Sequence, residues 1–337
     1  MAGGGWFHSW RKKLRRRWKH QPGWLPWLFS LPQRFLLWGL QALPPYFSLG
    51  LVERVGRLMW WMPKRRRTAL ANLEQALPDL TPKERARIGK RSSGLFARNI
   101  AEMLVLGKRH KPEDIPSLIQ LEPGARELLL AQREQGAVFV QGHFGAMEGF
   151  LGLLGALGLR LLTVVRLPYN YYVARALTRG REGWGVDLTT RDGALRRMRT
   201  RLREGGSVIL PMDVNARRGG IFVPWFGRLA STEPAAAFLA VRSGRPLIVC
   251  WCVRQPGGRS WRGGCELVRP ESPPERPEME RLVEVTTRIH AALESAILRH
   301  PEQYFWIHDR YRTRPPSEKR DEERDESPTE APAEAGS

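Results

Sequence analysis

V-F-V-Q-G-H-F-G-A-M-E-G-F, running from Val138 to Phe150, decides how this chain folds. A β-branched and aromatic run leads through Gly142 into His143, and Glu148 follows five residues later. Such a run fits a pleated, buried surface. The small-residue stretch after it, G-F-L-G-L-L-G-A-L-G, reads as a helix starting near Glu148. Working outward, Ala137 to Gln141, Leu161 to Arg166, Ser207 to Met212 and Pro246 to Val253 read as buried strands, with a basic helix over Asp192 to Glu204 between two of them. Alternating strands and helices predict an α/β fold whose mainly parallel sheet is flanked by helices. Active sites of such sheets lie at the carboxyl ends of the strands, which is where His143 falls.

Upstream, apolar residues recur at helical spacing from Leu49 to Met62, and Pro63 with K-R-R-R ends that element. Thr81, Pro82 and Glu84 spell a capping box with proline at the first helical position, opening a helix that runs to about Leu106. A short helix is expected near Gly124 to Gln135, and a final one from Glu278 to Arg299 precedes Y-F-W-I-H-D-R-Y-R. No internal repeat is present.

The 55 Lys and Arg against 34 Asp and Glu give a formal charge of +21. The last twenty-one residues hold 3 basic and 8 acidic side chains, so residues 1–316 carry 52 against 26, or +26. Such an excess implies anionic partners: nucleic acid, a membrane surface, phosphorylated lipids or an acidic protein. The arginines are scattered through every segment and no nucleic-acid module is recognisable, which argues against nucleic acid. Cys250, Cys252 and Cys265 lack CxxC spacing, and Cys250 and Cys252 flank Trp251 on one face of a strand, so they read as reduced, structural thiols rather than metal ligands.

Residues 1–62 form a basic, tryptophan-rich and apolar region. Seven Lys and Arg lie between Arg11 and Lys19, among Trp6, Trp10, Trp18, Trp24 and Trp27. The basic stretch is too long for a signal peptide and no cleavage site follows. Phe35 to Val52 is uncharged for eighteen residues, but Pro44 and Pro45 break it, which favours a kinked or interfacial segment over a straight span. Each cation near an anionic headgroup surface contributes about 1 kcal/mol, and indoles favour the polar boundary. The chain therefore divides into this membrane-associating helical region, an α/β domain over 63–316 and an acidic, disordered tail over 317–337.

His143 and Glu148 form an H-x-x-x-x-E array. With 7 histidines and about one residue in ten acidic, roughly 0.7 such matches arise by chance, so context must carry it. Gly142 and Gly145 let the backbone turn, and Glu148 falls in the first helical turn, where it could accept a hydrogen bond from one imidazole nitrogen and leave the other as a base. This is the logic of a serine-protease triad without its serine, the hydroxyl coming from the substrate. Arg166 and Asn170 follow the second strand, Asp213 and Asn215 the third, and I-F-V-P-W-F-G-R-L-A-S-T, with Gly227 and Thr232, reads as a glycine-containing loop. The plainer reading of these residues is a structural histidine with surface or capping ion pairs.

As an ordered set, strand-HFGxxE, VxRxxxN, an Asp after a strand, FVPWFG with Ala230, Ser231 and Thr232, and P-E-Q-Y-F-W-I-H-D-R-Y resemble the lipid A biosynthesis acyltransferases, lauroyl and myristoyl transferases of the lysophospholipid acyltransferase superfamily. The resemblance spans roughly Leu43 to Pro315. It implies an enzyme of the cytoplasmic face of the cell inner membrane that needs no cofactor or metal. An acyl chain would pass from an acyl carrier protein thioester to a hydroxyl of a phosphorylated glucosamine lipid. It further implies His143 as general base, Glu148 as its orienting carboxylate, Arg166 as a basic substrate-binding position and Asp213 as the acidic position after the third strand. Ala146 and Met147 stand where family members often have Asn-Trp, and Val214 where many have Gln; these positions bear on donor and acceptor identity. Transfer to another lipid with acyl-CoA as donor, and non-catalytic binding of a membrane or nucleic acid, are the alternatives.

Overall fold

The computed structural model describes residues 20–107 and 109–316. The basic run at 11–19, Trp6, Trp10, Trp18 and the acidic tail lie outside the described residues.

Two helices open the described chain, α1 (Trp24–Ala42) and α2 (Pro45–Gly56), parted by the expected Pro44–Pro45 break; a 3₁₀ turn (Arg57–Trp61) and α3 (Pro63–Ala76) follow. The helix α4 (Pro82–Leu106) begins at its capping box: Glu84 N–H donates to Thr81 Oγ1 at 3.3 Å and the Glu84 carboxylate accepts from Thr81 N–H at 2.9 Å. Among the described residues no helix is long and apolar enough to cross a membrane.

The alternating half of the chain contributes α5 (Ile115–Leu118), β1 (Ile119–Leu121), α6 (Ala125–Leu130), β2 (Val138–Gln141), α7 (Met147–Ala156), β3 (Leu161–Val164), α8 (Tyr171–Gly183), β4 (Val186–Thr189), α9 (Ala194–Arg203) and β5 (Ser207–Pro211). After these come β6 (Ile221–Trp225), β7 (Arg228–Thr232), α10 (Ala235–Ser243), β8 (Leu247–Arg254), β9 (Trp261–Val268) and α11 (Glu278–Arg299). Seven strands form one sheet in the order β1-β9-β8-β2-β5-β3-β4, parallel at every neighbouring pair except β8 with β9.

Helices cover both faces, which is why β2 is buried at all four positions. Alternate residues serve different cores. Val138 and Val140 pack with Met198, Leu202, Leu239 and Ile289 from α9, α10 and α11, whereas Phe139 packs with Phe150, Leu154 and Val105 from α7 and α4. The small residues of α7 let it lie close to its neighbours: a Cβ at Gly155 would sit 2.0 Å from the Trp184 carbonyl oxygen. Cys250 and Cys252 share the second core, where burial pushes both thiols up.

One expected loop is a strand pair instead. β6 and β7 form a two-stranded antiparallel hairpin closed between Trp225 and Arg228, with Phe226 and Gly227 at φ of 47° and 77°. Two central residues of positive φ make the primed turn whose twist matches a hairpin. Pro224 disguises the strand in the sequence, yet its ring costs nothing here because a two-stranded ribbon leaves one edge unpaired.

Candidate active site

β2 and β5 are adjacent, and their register pairs Gln141 with Pro211. Two residues further along each strand stand His143 and Asp213, so equal offsets from a fixed register bring the two side chains together. His143 Nδ1 lies 2.8 Å from Asp213 Oδ1, and the His143 backbone N–H donates to Asp213 Oδ2 at 2.6 Å. The carboxylate thus grips ring and main chain at once, and being an acceptor it assigns the Nδ1 proton to the imidazole. Asp213 is 1% exposed and His143 26% in its side chain, so the ring reaches outward from a buried anchor. Nε2 has no protein partner among the described residues.

The turn carrying His143 is pinned to β8. Gly145, at φ 59°, has no room for a side chain: a Cβ would lie 1.8 Å from the Cys252 carbonyl oxygen. That carbonyl accepts from Ala146 N–H at 2.7 Å, while Gly145 N–H donates to the Gln303 carbonyl at 3.0 Å. Both backbone polar groups of the turn are therefore satisfied inside the fold.

Electrostatics match the geometry. Burial pulls the His143 pKa down, but the charge and hydrogen bond of Asp213, with a smaller push from Glu148, outweigh it and leave it raised. Burial likewise pushes Asp213 up, and the charge and hydrogen bonds of His143, helped by His308, bring it below the usual carboxylate value. Each group stabilises the charged form of the other.

Glu148 sits elsewhere in the scheme. It occupies the first turn of α7, as expected, but both of its oxygens accept from the Arg181 fork of α8, one of them from Nε at 2.9 Å and the other from Nη2. The hydrogen bond expected between Glu148 and the imidazole is made by Asp213 instead. Burial would lower the Arg181 pKa, and the hydrogen bond and charge of Glu148 reverse that. A bidentate pair of this kind fixes the planes of both groups.

Behind the dyad lies the segment after α11. Tyr304 is buried and bridges to Phe144; burial, with the Asp213 charge second, drives its phenol well above the ordinary range. Phe305 stacks on Phe96 at 3.8 Å and lies 5.8 Å from the His143 ring. His308 accepts from Asn215 N–H through Nε2 at 3.0 Å, which places its proton on Nδ1, and burial keeps it below the ordinary histidine value. Arg310, 2% exposed, donates to the Ser231 carbonyl at 2.7 Å and to Thr232 Oγ1 at 2.5 Å.

The remaining expected residues divide. Asn215 follows Asp213 and exchanges hydrogen bonds with Thr313, tying down the C-terminal segment. Thr232 holds Arg310. Arg166 is exposed in the loop after β3, one strand over from Asp213. Asn170 caps α8 by accepting from Tyr172 and Val173 N–H, and its amide donates to the Pro26 carbonyl at 2.7 Å, strapping α1 to the body. Gly227 forms the hairpin turn, where its positive φ is its contribution.

Arg181, Tyr304, His308 and Arg310 carry no role in the sequence reading, although the last three belong to the quoted Y-F-W-I-H-D-R-Y stretch. A buried ion network was also missed. Arg254, at the carboxyl end of β8, forks onto Glu102 of α4 at 2.7 and 2.6 Å; Arg98 joins Glu102 at 3.0 Å and reaches Glu53 of α2 at 3.3 Å. Arg254 N–H also donates to Gln303 Oε1 at 2.9 Å, so the network locks the N-terminal helices to the carboxyl end of the sheet that bears His143.

Fold and site together define a helix-flanked, mainly parallel-sheet protein with a His143–Asp213 imidazole–carboxylate dyad at the carboxyl edge of its sheet. Residues 11–313 match the family model of bacterial lipid A biosynthesis acyltransferases. The chain belongs to that family, and it is an acyltransferase. Among similar proteins are the lipid A biosynthesis palmitoleoyltransferase of Escherichia coli strain K12, 28% identical over 91% of this chain and 97% of the relative, and the lauroyltransferase of the same strain, 26% identical over 88% and 94%. The myristoyltransferase of that strain is 24% identical over 83% and 85%. Family membership makes acyl transfer in lipid A biosynthesis the activity class.

Proposed function

We propose that this enzyme moves a fatty acyl chain from an acyl carrier protein thioester to a hydroxyl of lipid A or its precursor. The observation that carries the reading is the His143–Asp213 pair with Nε2 left for a substrate, in a chain of this family. Nε2 takes the proton of the acceptor hydroxyl as its oxygen attacks the thioester carbonyl carbon. Asp213 holds the tautomer and stabilises the imidazolium. As the tetrahedral intermediate collapses, the C–S bond breaks and the imidazolium proton passes to the departing sulfur. The balance is closed: one ester and one thiol form from one thioester and one alcohol.

Glu148 fixes the Arg181 guanidinium through both carboxylate oxygens, and Arg166 adds a second cation at the strand ends. Both suit a phosphorylated sugar headgroup. Residues 1–62 seat the enzyme on the cytoplasmic face of the inner membrane. Trp24, Phe35, Trp38 and Trp61, each at least 60% exposed, support an interfacial mode rather than a span.

The test is mass spectrometry of lipids after incubating wild-type and His143→Ala protein with acyl carrier thioesters and a tetra- or penta-acylated disaccharide acceptor. A gain of one acyl chain with wild type alone is expected. Transfer only to added glycerolipids would replace the acceptor, and equal transfer by the variant would remove His143 from the chemistry.

A further inference from the structure

Most arginines with a resolved role are spent on carboxylates: Arg181 on Glu148, Arg242 on Glu278, Arg254 on Glu102 and Arg288 on Glu271. The helix α9 departs from that pattern, with five arginines and no acidic residue over Ala194–Arg203. Met198 and Leu202 anchor it in the core, Arg197 donates to Thr189 Oγ1, and Arg201 pairs with Asp187. Arg196, Arg199 and Arg203 fall at i, i+3 and i+7, on one exposed stripe beside Leu195. None of the three meets a carboxylate among the described residues; Arg203 touches only Thr200 Oγ1 at 3.2 Å. Like charges at this spacing repel and weaken a helix, and no carboxylate among the described residues pairs with these three.

The stripe continues to the active site. α9 connects β4 to β5, so its first turn lies at the carboxyl edge of the sheet, the edge that bears His143, and its ten residues run about 15 Å away from it. Arg191, exposed in the loop entering α9, acts on Glu233 just beyond Thr232. Arg217 and Arg218, exposed and without a carboxylate partner among the described residues, follow Asp213 by four and five positions. The cations therefore form a track from the mouth of the site down one side of the body.

A lipid surface is the wrong shape for this track. α9 packs on the sheet face that carries α10 and α11, whereas α1, with its exposed aromatics, packs on α8 at the other face. One plane cannot hold both sets, and α9 has no aromatic to place at a headgroup boundary. A linear row of arginines at helical spacing instead matches a helix with a row of carboxylates.

We propose that Arg191, Arg196, Arg199, Arg203, Arg217 and Arg218 form the docking surface for the small acidic carrier protein that presents the acyl thioester. This rests on the donor proposed above. Docking along α9 aims the thioester arm past Arg217 and Arg218 into the site, leaving the opposite face to the membrane and its lipid acceptor. Charge rows of this kind act on encounter rate and are screened by salt.

The experiment compares the full-length wild type, Arg196→Glu/Arg199→Glu/Arg203→Glu and the milder triple Arg→Gln variant, each with two donors carrying the same acyl chain: the carrier protein thioester and the acyl-pantetheine thioester that lacks the protein. With the carrier, kcat/KM of the Glu variant falls about 10- to 100-fold at low salt, mainly through KM, and the wild-type value declines toward it as salt rises. The Gln variant shows a smaller loss of the same kind, and acyl-pantetheine use stays within about twofold of wild type for all three proteins. A wild-type preference for the carrier that survives both triple variants overturns the surface. So does equal loss with both donors, or a loss of vesicle binding with carrier kinetics unchanged. A wild type that uses acyl-pantetheine or acyl-CoA as well as the carrier overturns the donor itself.

Discussion

Asp213→Asn isolates the dyad. In the native site Oδ1 accepts from the imidazole at 2.8 Å and Oδ2 from the His143 main chain at 2.6 Å. An amide has one oxygen to offer, so two arrangements remain. With the oxygen toward the backbone N–H, the NH₂ faces Nδ1, which must become an acceptor, and the proton moves to Nε2, the nitrogen proposed above as the base. With the oxygen toward the ring, two donors collide at the backbone. The second costs an unmet charge-assisted hydrogen bond, about 1.5–3 kcal/mol, so the wrong tautomer prevails. The equivalent change in a Ser–His–Asp triad lowers kcat about 10⁴-fold, and a loss of about 10³- to 10⁴-fold is expected here. The pH profile supplies the second readout. Asp213 raises the His143 pKa, so the acid limb of wild-type kcat/KM lies above the ordinary value of about 6.5, activity rising as the ring loses its proton. Removing the charge moves that limb to lower pH while the plateau drops. Stability follows the same pair with opposite signs: the raised His143 contribution is complete below about 6.5 and fades as pH rises through the folded value, and the lowered Asp213 contribution is complete above about 3.9 and fades as pH falls through its own. The native pair is therefore worth most between about pH 4 and 6.5, and melts of wild type and variant should diverge most in that window. A variant with wild-type plateau and unmoved limb would refute the assignment of Asp213 as the partner of the base.

Glu148→Gln leaves the Arg181 guanidinium half-buried with a neutral partner, and breaking such a pair costs about 3 kcal/mol, read as a lower melting midpoint and weaker acceptor binding. Its acid limb should stay near that of wild type, because Asp213 rather than Glu148 dominates the imidazole; a limb displaced as far as in Asp213→Asn would return Glu148 to the position of orienting carboxylate. Replacing Trp24, Phe35 and Trp38 together by Ser removes three exposed rings of α1, and at about 1.5–3 kcal/mol for each buried aromatic the binding to zwitterionic vesicles in high salt should fall at least 100-fold. Cosedimentation equal to wild type would rule out α1 as the inserted face.

Local signals in the chain were strong enough to place much of the framework. The Thr81–Glu84 capping box marks the start of α4, the apolar period of α11 gives its span from Glu278 to Arg299, and the apolar runs locate β2, β3, β5 and β8 to within a residue or two of their ends. His143 could be assigned to a strand end because β2 stops at Gln141, just before Gly142, a fact contained in a few consecutive residues. β4 and β9 escaped detection for local reasons as well: V-D-L-T is a short edge strand, and W-R-G-G-C-E-L-V breaks its alternation with two glycines. At Gly263 a Cβ would come within 2.8 Å of the Phe150 ring, so those glycines answer to packing that no local pattern displays.

The carboxylate partner of His143 belongs to a different level. Glu148 was the nearest carboxylate along the chain, and a helix start five residues away is as far as periodicity can see. Asp213 is seventy positions distant, and it meets His143 only because the chain runs β2, β3, β4 outward and then inserts β5 beside β2 with Gln141 opposite Pro211. Strand order and register are set by how whole faces of side chains pack and by where crossovers can run. The sequence by itself determined the elements, the charge and the histidine at the strand end; the tertiary structure decided which carboxylate that histidine holds, because pairing between strands is a property of the sheet and not of either strand.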